Sequence, residues 1–482
     1  MIENITTDKN YLSDLMKELP SHCLFNKGIT GCGGTYVELH STRNSIILVP
    51  TIDLARNKEE KGFLVVYGEI SDSKIKDYIN SNIKYKKIIG TYDCLKRLMN
   101  YNILDYFLLI DEYHLLFNAY SFRNDAIQFV LKNYDRFEKY CFMTATPLDD
   151  NTILQEIKHL KIINVNWIKA VPIKLNLIDT YFTTKELLSI LLDEKQTCNF
   201  HIFLNSLKTI TEVVNKLKLN DYRIVCSKRN TKIPNRASTK DPVKKYNFYT
   251  ASAFEGCDIY DPIGKTIIIC DTKISTTMLD ISTLIIQICG RLRNSQFKDD
   301  ITLILNTYKH RYAKITENEF LINIEEQSKQ GLYLEDKFKN ADDEFKQILL
   351  KTFSQETHYP IYVNKYENEL YYDGNLKNVD KNNFNVVNKI YKNTISVLKE
   401  YSENDIEVNV KTTEVKDIYT NIKSVLLNKE YTFSELKDLF IPIFKTYNLS
   451  FNSSMLKLYF PEFTKCRKTR EGKKDTYYKF KM

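Results

Sequence analysis

The chain has 482 residues, enough for about three domains, and a 43% hydrophobic content that suits ordinary globular cores. Its formal net charge of +8 favours solubility and a polyanionic partner. No apolar run approaches the roughly 20 residues of a membrane helix, and Met1-Ile2-Glu3-Asn4 lacks a secretory pattern. The ten cysteines form no close CxxC pair, which argues against zinc and for reduced thiols in a cytoplasm-like compartment.

From about residue 20 to 165, short apolar runs alternate with helical stretches. The predicted strands are 45–49, 63–67, 87–89, 106–110 and 140–143. Continuous rather than alternating apolar runs fit a parallel sheet covered on both faces. A second such series runs from about 170 to 310, with predicted strands at 201–204, 223–226, 248–249, 266–270 and 301–305. The segment Lys169-Ala170-Val171-Pro172 reads as a hinge. Residues 311–420 are polar, with helical stretches and a hairpin from Ile361–Val363 to Leu370–Tyr372 turning at Glu367-Asn368. Helices are predicted at 422–427, 434–447 and 453–459, with Ser434 as cap of the middle one. A basic strand-turn-strand closes the chain, and three helices followed by a hairpin is the order of a winged helix. Four units are therefore expected: 1–168, 169–310, a connector at 311–420 and a basic module at 421–482.

Several short stretches carry chemistry. Gly28-Ile29-Thr30-Gly31-Cys32-Gly33-Gly34-Thr35 reads as a phosphate-binding loop, since glycines let backbone N–H groups turn toward phosphate oxygens. Thr35 would offer a hydroxyl to Mg²⁺. Asp111 and Glu112 end an apolar strand and suit divided labour, one holding Mg²⁺ and the other activating water. His114, Thr144 and Thr146 suit coupling of that site to the second domain. Arg291 and Arg293 are candidate arginine fingers, with Gln287 one helical turn earlier. From Lys465 to Lys481, basic residues exceed acidic ones by six, and Arg467, Lys468, Arg470, Lys473 and Lys474 suit phosphate contacts on a duplex. Tyr477, Tyr478 and Phe480 either stack on bases or pack against the helices, packing being favoured for alternate residues.

Taken in order, these stretches resemble superfamily 2 helicases of the DExH type over roughly residues 20–310. The matching positions are Gly31, Gly33 and Thr35; Asp111, Glu112 and His114; Thr144, Ala145 and Thr146; Glu255, Gly256 and Asp258; and Gln287, Gly290 and Arg291. The Gly-Arg-Leu-Arg ending looks more like viral origin-binding helicases than DEAD-box RNA enzymes. The resemblance implies two tandem RecA-like α/β domains, with a mainly helical C-terminal extension ending in a winged-helix-like module. ATP and Mg²⁺ would sit between the domains. Thr51, Thr91 and Asn205 would contact a nucleic-acid strand, DNA rather than RNA, in replication or recombination alongside proteins of those processes. No membrane partner is expected.

One residue departs from the pattern. Gly34 stands where the family carries its phosphate-loop lysine, and Asn294 stands where its last arginine is expected. Two accounts are open. Lys27 replaces the missing charge from the start of the loop, or the site is degenerate and the fold persists as a nucleic-acid clamp.

Overall fold

A computed structural model describes residues 2–479 apart from 151, 170–171, 194–196, 228–229, 232, 255–257, 308–314, 354–360, 365–367, 413–425, 427–429, 447–463 and 471–472. Two eight-stranded, all-parallel sheets organise the chain as tandem RecA-like α/β lobes. The first has the spatial order β1 (Ile2–Thr7), β8 (Lys161–Trp167), β2 (Cys23–Asn26), β7 (Lys139–Thr144), β6 (Phe107–Asp111), β3 (Ser45–Val49), β5 (Lys87–Thr91), β4 (Phe63–Val66). The second runs β12 (Arg236–Ala237), β11 (Tyr222–Val225), β13 (Tyr246–Tyr249), β10 (Asn199–Phe203), β14 (Gly264–Asp271), β15 (Ile301–Asn306), β9 (Ile173–Asp179), β18 (Ile406–Thr412).

Continuous apolar runs form the central strands because both sheet faces are covered. Ile46 and Leu48 pack into one core and their neighbours Ile47 and Val49 into the other. In the second lobe, Ile268 and Cys270 face one core, and Ile267 and Ile269 the opposite one. In the two lobes, strands outside the predicted set are β1, β2, β8, β9, β12 and β18. Of these, β9 (Ile-Lys-Leu-Asn-Leu-Ile-Asp) and β18 (Ile-Glu-Val-Asn-Val-Lys-Thr) alternate in polarity. Alternation suits strands at a sheet margin, where one face meets solvent.

Residues 406–412, read from the sequence as part of a connector, pair in parallel with β9 along its whole length. The rest of the extension is helical at Glu317–Lys339, Asp343–Phe353, Gly374–Asn388 and Thr394–Glu403, with the hairpin β16 (Ile361–Asn364) and β17 (Glu369–Tyr372). Thr316 caps the first of these helices through a capping box with Glu319.

At the C-terminal end, β19 (Glu430–Thr432), β20 (Thr464–Arg470) and β21 (Lys473–Lys479) form an antiparallel sheet in the order β19-β21-β20. Helix Phe433–Thr446 follows β19. Its cap is Thr432, not Ser434. The Thr432 hydroxyl accepts from the Glu435 N–H at 3.3 Å, and the Glu435 carboxylate accepts from the Thr432 N–H at 2.7 Å. The reciprocal pair satisfies two donors, which a Ser434 cap would leave open. The helices predicted at 422–427 and 453–459 lie almost wholly outside the described residues. Among the described residues, no helix is long and apolar enough to cross a membrane.

Ile406 is buried in the second lobe's core, whereas Ile395 is 79% exposed. Ile406→Ala is expected to cost about 2 kcal/mol or more, read as a lowered urea midpoint. Ile395→Ala should leave the midpoint unchanged.

Candidate functional site

Strand order creates the site. β2, β7 and β6 are neighbours, so the segments after their carboxyl ends lie side by side: the glycine loop, the Thr144–Thr146 turn and the Asp111-Glu112 pair. Open parallel sheets bind ligands at this edge. Thr51 lies just past β3, and Thr91 ends β5, on the other half of the same edge. In the second lobe, a π-helical turn at Ile281–Ile285 leads into helix Ile286–Cys289, which carries Gln287. Ile259 then exchanges backbone hydrogen bonds with Arg291 and Arg293, which brings Asp258 beside Arg293.

Lys27 is buried and carries its charge into the acid pair. Its Nζ lies 2.9 Å from Glu112 Oε1 and 3.7 Å from Asp111 Oδ1. Its backbone is held at both ends, the N–H donating to Thr144 O at 2.8 Å and the carbonyl accepting from Trp167 Nε1 at 2.7 Å. Burial works against the ammonium, but Glu112 and Asp111 outweigh it and hold its pKa well above the ordinary value. Burial likewise pushes Glu112 up, yet Lys27 and His114 pull it below the usual carboxylate range. Asp111 goes the other way, raised mainly by burial. The two carboxyls are therefore driven apart by their surroundings.

The bare backbone at Gly34 makes this arrangement possible. A Cβ there would lie 2.6 Å from Met143 Sδ and 3.2 Å from Lys27 Cδ. The space that a side chain at 34 would fill is taken first by the Met143 thioether, with the Lys27 stem beside it. Gly31 has φ +77°, and the Arg293 guanidinium lies where its Cβ would be. Gly28 and Gly33 also have positive φ.

Around Glu112 the two lobes meet. Its backbone is left-handed at φ 54°, a sparsely populated state for a non-glycine residue. The buried Tyr92 hydroxyl donates to the carbonyls of Asp111 and Glu112 at 2.7 and 3.2 Å and braces that turn. Glu112 Oε2 accepts from Thr144 Oγ1 at 3.2 Å and, from across the cleft, Gln287 Nε2 at 3.3 Å. His114 Nδ1 lies 2.8 Å from Thr144 Oγ1, and Gln287 Nε2 also reaches Thr146 Oγ1 at 3.3 Å. Arg291 is buried and bonds back to the Gln287 carbonyl at 2.7 Å. Arg293 pairs with Asp258 at 2.7 Å. Against the push of burial, Arg293 holds Asp258 below its usual range.

A cleft of about 320 Å³ lies between the lobes, lined by the glycine loop, Lys27, Asp111, Glu112, Asp258, Arg291 and Arg293. Sequence motifs did not point to five further lining residues, Tyr11, Tyr36, Leu54, Lys58 and Tyr260. Lys58 acts electrostatically on both Asp111 and Asp258, and Tyr36 and Tyr260 are exposed at the cleft. Lys58 follows the short helix Ile52–Asn57, a position no motif marks.

Thr35 Oγ1 donates to Asp111 Oδ2 at 2.7 Å. Two hard oxygens at that spacing fit adjacent corners of an octahedral Mg²⁺ shell, whose ligands at 2.0–2.1 Å put neighbours about 3 Å apart. Glu255 and Gly256 lie outside the described residues.

The candidate nucleic-acid contacts are not gathered with these groups. Thr51 Oγ1 caps the helix after it by accepting from Leu54 N–H at 3.2 Å. Thr91 is buried, with Oγ1 3.4 Å from Cys94 Sγ. Asn205 ties two loops of the second lobe together, donating to Thr276 O and accepting from Ala251 N–H. Arg467 is exposed on β20, which also carries Lys468 and Arg470, and β21 carries Lys473 and Lys474. Tyr477 and Tyr478 are buried, so packing holds for both; Phe480 lies outside the described residues.

No protein-family model matches the chain, and no curated protein sequence matches it. Solved structures similar to it are helicases. A Mycobacterium smegmatis Lhr helicase, bound to ssDNA and AMP-PNP, is 12% identical, with a TM-score of 0.40 over 59% of this chain and 44% of that one. This chain therefore spans less than half of that helicase. Dbp5 of S. cerevisiae, bound to RNA and ADP BeF3, is 15% identical over 63% of this chain and 82% of its own, with a TM-score of 0.40. Mss116p, bound to ssRNA and AMP-PNP, is 13% identical over 84% and 91%, with a TM-score of 0.42. At such values the fold reading stands on the chain's own strand order.

Removing Lys27 leaves buried carboxylates uncompensated. Lys27→Met is expected to cost about 3–5 kcal/mol near pH 7. Because Lys27 depresses Glu112, its contribution is present above the unfolded carboxyl value and lost as pH falls. Urea midpoints of the variant and the parent should therefore stay apart from pH 7 to about pH 4.5 and converge only as pH falls toward about 2.

Proposed function

We propose that the chain is an NTP-driven translocase or helicase acting on DNA, with Lys27 replacing the phosphate-loop lysine that position 34 lacks. The observation that carries this is the Lys27 stem lying in the space left by Gly34, with its ammonium against Asp111 and Glu112. A degenerate loop has no need to clear a path for a buried cation.

In this reading the triphosphate lies along the loop from Gly28 to Thr35. Thr35 and Asp111 would hold Mg²⁺, which would supply charge neutralisation to the phosphates. Lys27 exchanges its carboxylate partners for phosphate oxygens. That exchange lifts the depression on Glu112 and makes it a better base as substrate arrives. Glu112 orients a water whose oxygen attacks the γ-phosphorus; the bond to the leaving β-phosphate oxygen breaks, and the water's proton passes to Glu112. Arg291 and Arg293 neutralise the charge moving to that oxygen, with Lys58 as a further cation. Gln287, bonded to both Glu112 and Thr146, couples the chemistry to lobe motion through Thr144 and His114.

Thr51, Thr91 and Asn205 would meet a DNA strand through their backbone groups, their side chains being engaged within the protein. The β19-β21-β20 sheet with its helix is read as a winged-helix module that grips duplex phosphates through Arg467, Lys468, Arg470, Lys473 and Lys474. Replication or recombination is the setting this suits. The second reading, a helicase fold retained as a clamp, is favoured by the ion pair itself, which keeps Glu112 a weak base while it lasts.

Steady-state ATP hydrolysis with and without single- and double-stranded DNA or RNA tests this. Stimulated turnover should fall about 10²-fold or more in Lys27→Ala and Glu112→Gln, with ATP binding retained in Glu112→Gln. Binding is readable from Trp167, the chain's one tryptophan, bonded to the Lys27 carbonyl. Gly34→Lys should also lower turnover, since its side chain would collide with Met143 and the Lys27 stem. A rise would sink the relocated-lysine account, and salt-sensitive DNA binding without turnover would leave the clamp.

A further inference from the structure

Part of the extension touches both lobes at once. Helix Gly374–Asn388 begins in the first lobe. There Leu376 and Val379 belong to the same buried cluster as Leu108, Ile110 and Tyr120. Asp373, which caps the helix, accepts from Tyr120 Oη at 2.8 Å, and Asn375 Nδ2 donates to the Glu156 carboxylate at 3.0 Å. Burial pushes the Asp373 carboxyl up to about 6, so it is mostly ionised near neutrality and accepts that bond.

The same helix ends in the second lobe. Val386, Ile390, Tyr391, Val397 and Tyr401 share a buried cluster with Ile268, Leu303 and Ile285. Tyr391 Oη donates to Leu279 O at 2.8 Å, and Thr394 Oγ1 donates to Asp179 at 3.0 Å. Helix Glu317–Lys339 lies alongside, through Glu325–Lys377 and the stacked rings of Phe320 and Phe384.

Both ends stand next to cleft elements. Tyr120 starts the helix that follows His114–Asn118, the segment directly after Glu112. Leu279 precedes the turn and short helix that carry Gln287. A 15-residue helix is about 22 Å of stiff rod, long enough to hold two lobes at a set spacing.

We propose that residues 373–406 form a strut that fixes the separation of the two lobes and thereby the distance between Glu112 and Gln287. Asp373, Leu376 and Tyr391 are positioning residues; none of them lines the cleft. The strut's effect on ATP rests on the nucleotide reading above, whereas its effect on lobe spacing does not.

The test is single-molecule energy transfer in the full chain, with dyes on non-natural amino acids replacing Asp77 and Asn215, exposed on helices of the first and second lobe. Two strut variants are compared with the parent. Leu376→Asp removes the foot on the first lobe. A six-residue Gly-Ser insertion between Asn382 and Asn383 leaves Leu376 and Val379 on the first lobe and Val386 and Tyr391 on the second, and breaks only the rod between them. Both should broaden the transfer distribution toward longer distances without ATP. The apparent KM for ATP should rise about threefold or more as the closed population falls, while kcat at saturation changes less. An unchanged distribution in the insertion variant overturns the strut, whatever Leu376→Asp does to folding. A broadened distribution in a protein without ATP turnover upholds the strut and refutes the nucleotide reading instead.

Discussion

A buried ammonium between two carboxylates is the constraint on which the cleft depends. Lys27 cannot be stripped of partners where it sits, because an unpaired charge in that environment would cost several kcal/mol. It must therefore hold either the acid pair or something equally anionic. The same requirement explains the glycine beside it. A side chain at position 34 would meet Met143 first and then the stem of Lys27, which enters from the start of the loop.

From that pair the contacts radiate across the molecule. Glu112 is shared by Lys27, Thr144 and His114 of its own lobe and by Gln287 of the other. Arg293 lies over Gly31 while paired to Asp258. One carboxylate thus touches Lys27 at the start of the glycine loop and the second lobe together. Parallel strand order makes this possible, because β7 inserts between β2 and β6 and sets Thr144 between the loop and the acid pair.

Much of this was legible in the sequence, for a physical reason. Strands buried on both faces must be apolar throughout, so β3, β6, β7, β14 and β15 announced themselves. Their carboxyl ends then carried Asp111, Thr144 and their partners in a fixed order. Marginal strands such as β9 and β18 alternate, and nothing local ties residue 406 to residue 173. Lys58 and Tyr260 were invisible for a related reason. They reach the cleft by tertiary folding, from positions where a lysine or tyrosine is ordinarily surface. Thr51 and Thr91 lie at the sheet edge, with side chains turned inward to cap and pack.

The parallel pairing of β18 with β9 has a consequence for how the chain is made. The second lobe's sheet is closed at one margin by a strand that emerges more than two hundred residues after its neighbour. The first lobe's core, in turn, takes Leu376 and Val379 from just upstream of that strand. As the chain leaves the ribosome, each lobe can collapse early, yet neither is finished until the stretch 373–412 is out. Long-range closure of this kind is slow compared with local helix formation. A late-arriving segment that completes both halves ensures that nascent chains lacking it present two open apolar seams, one on each lobe, to whatever chaperone is near.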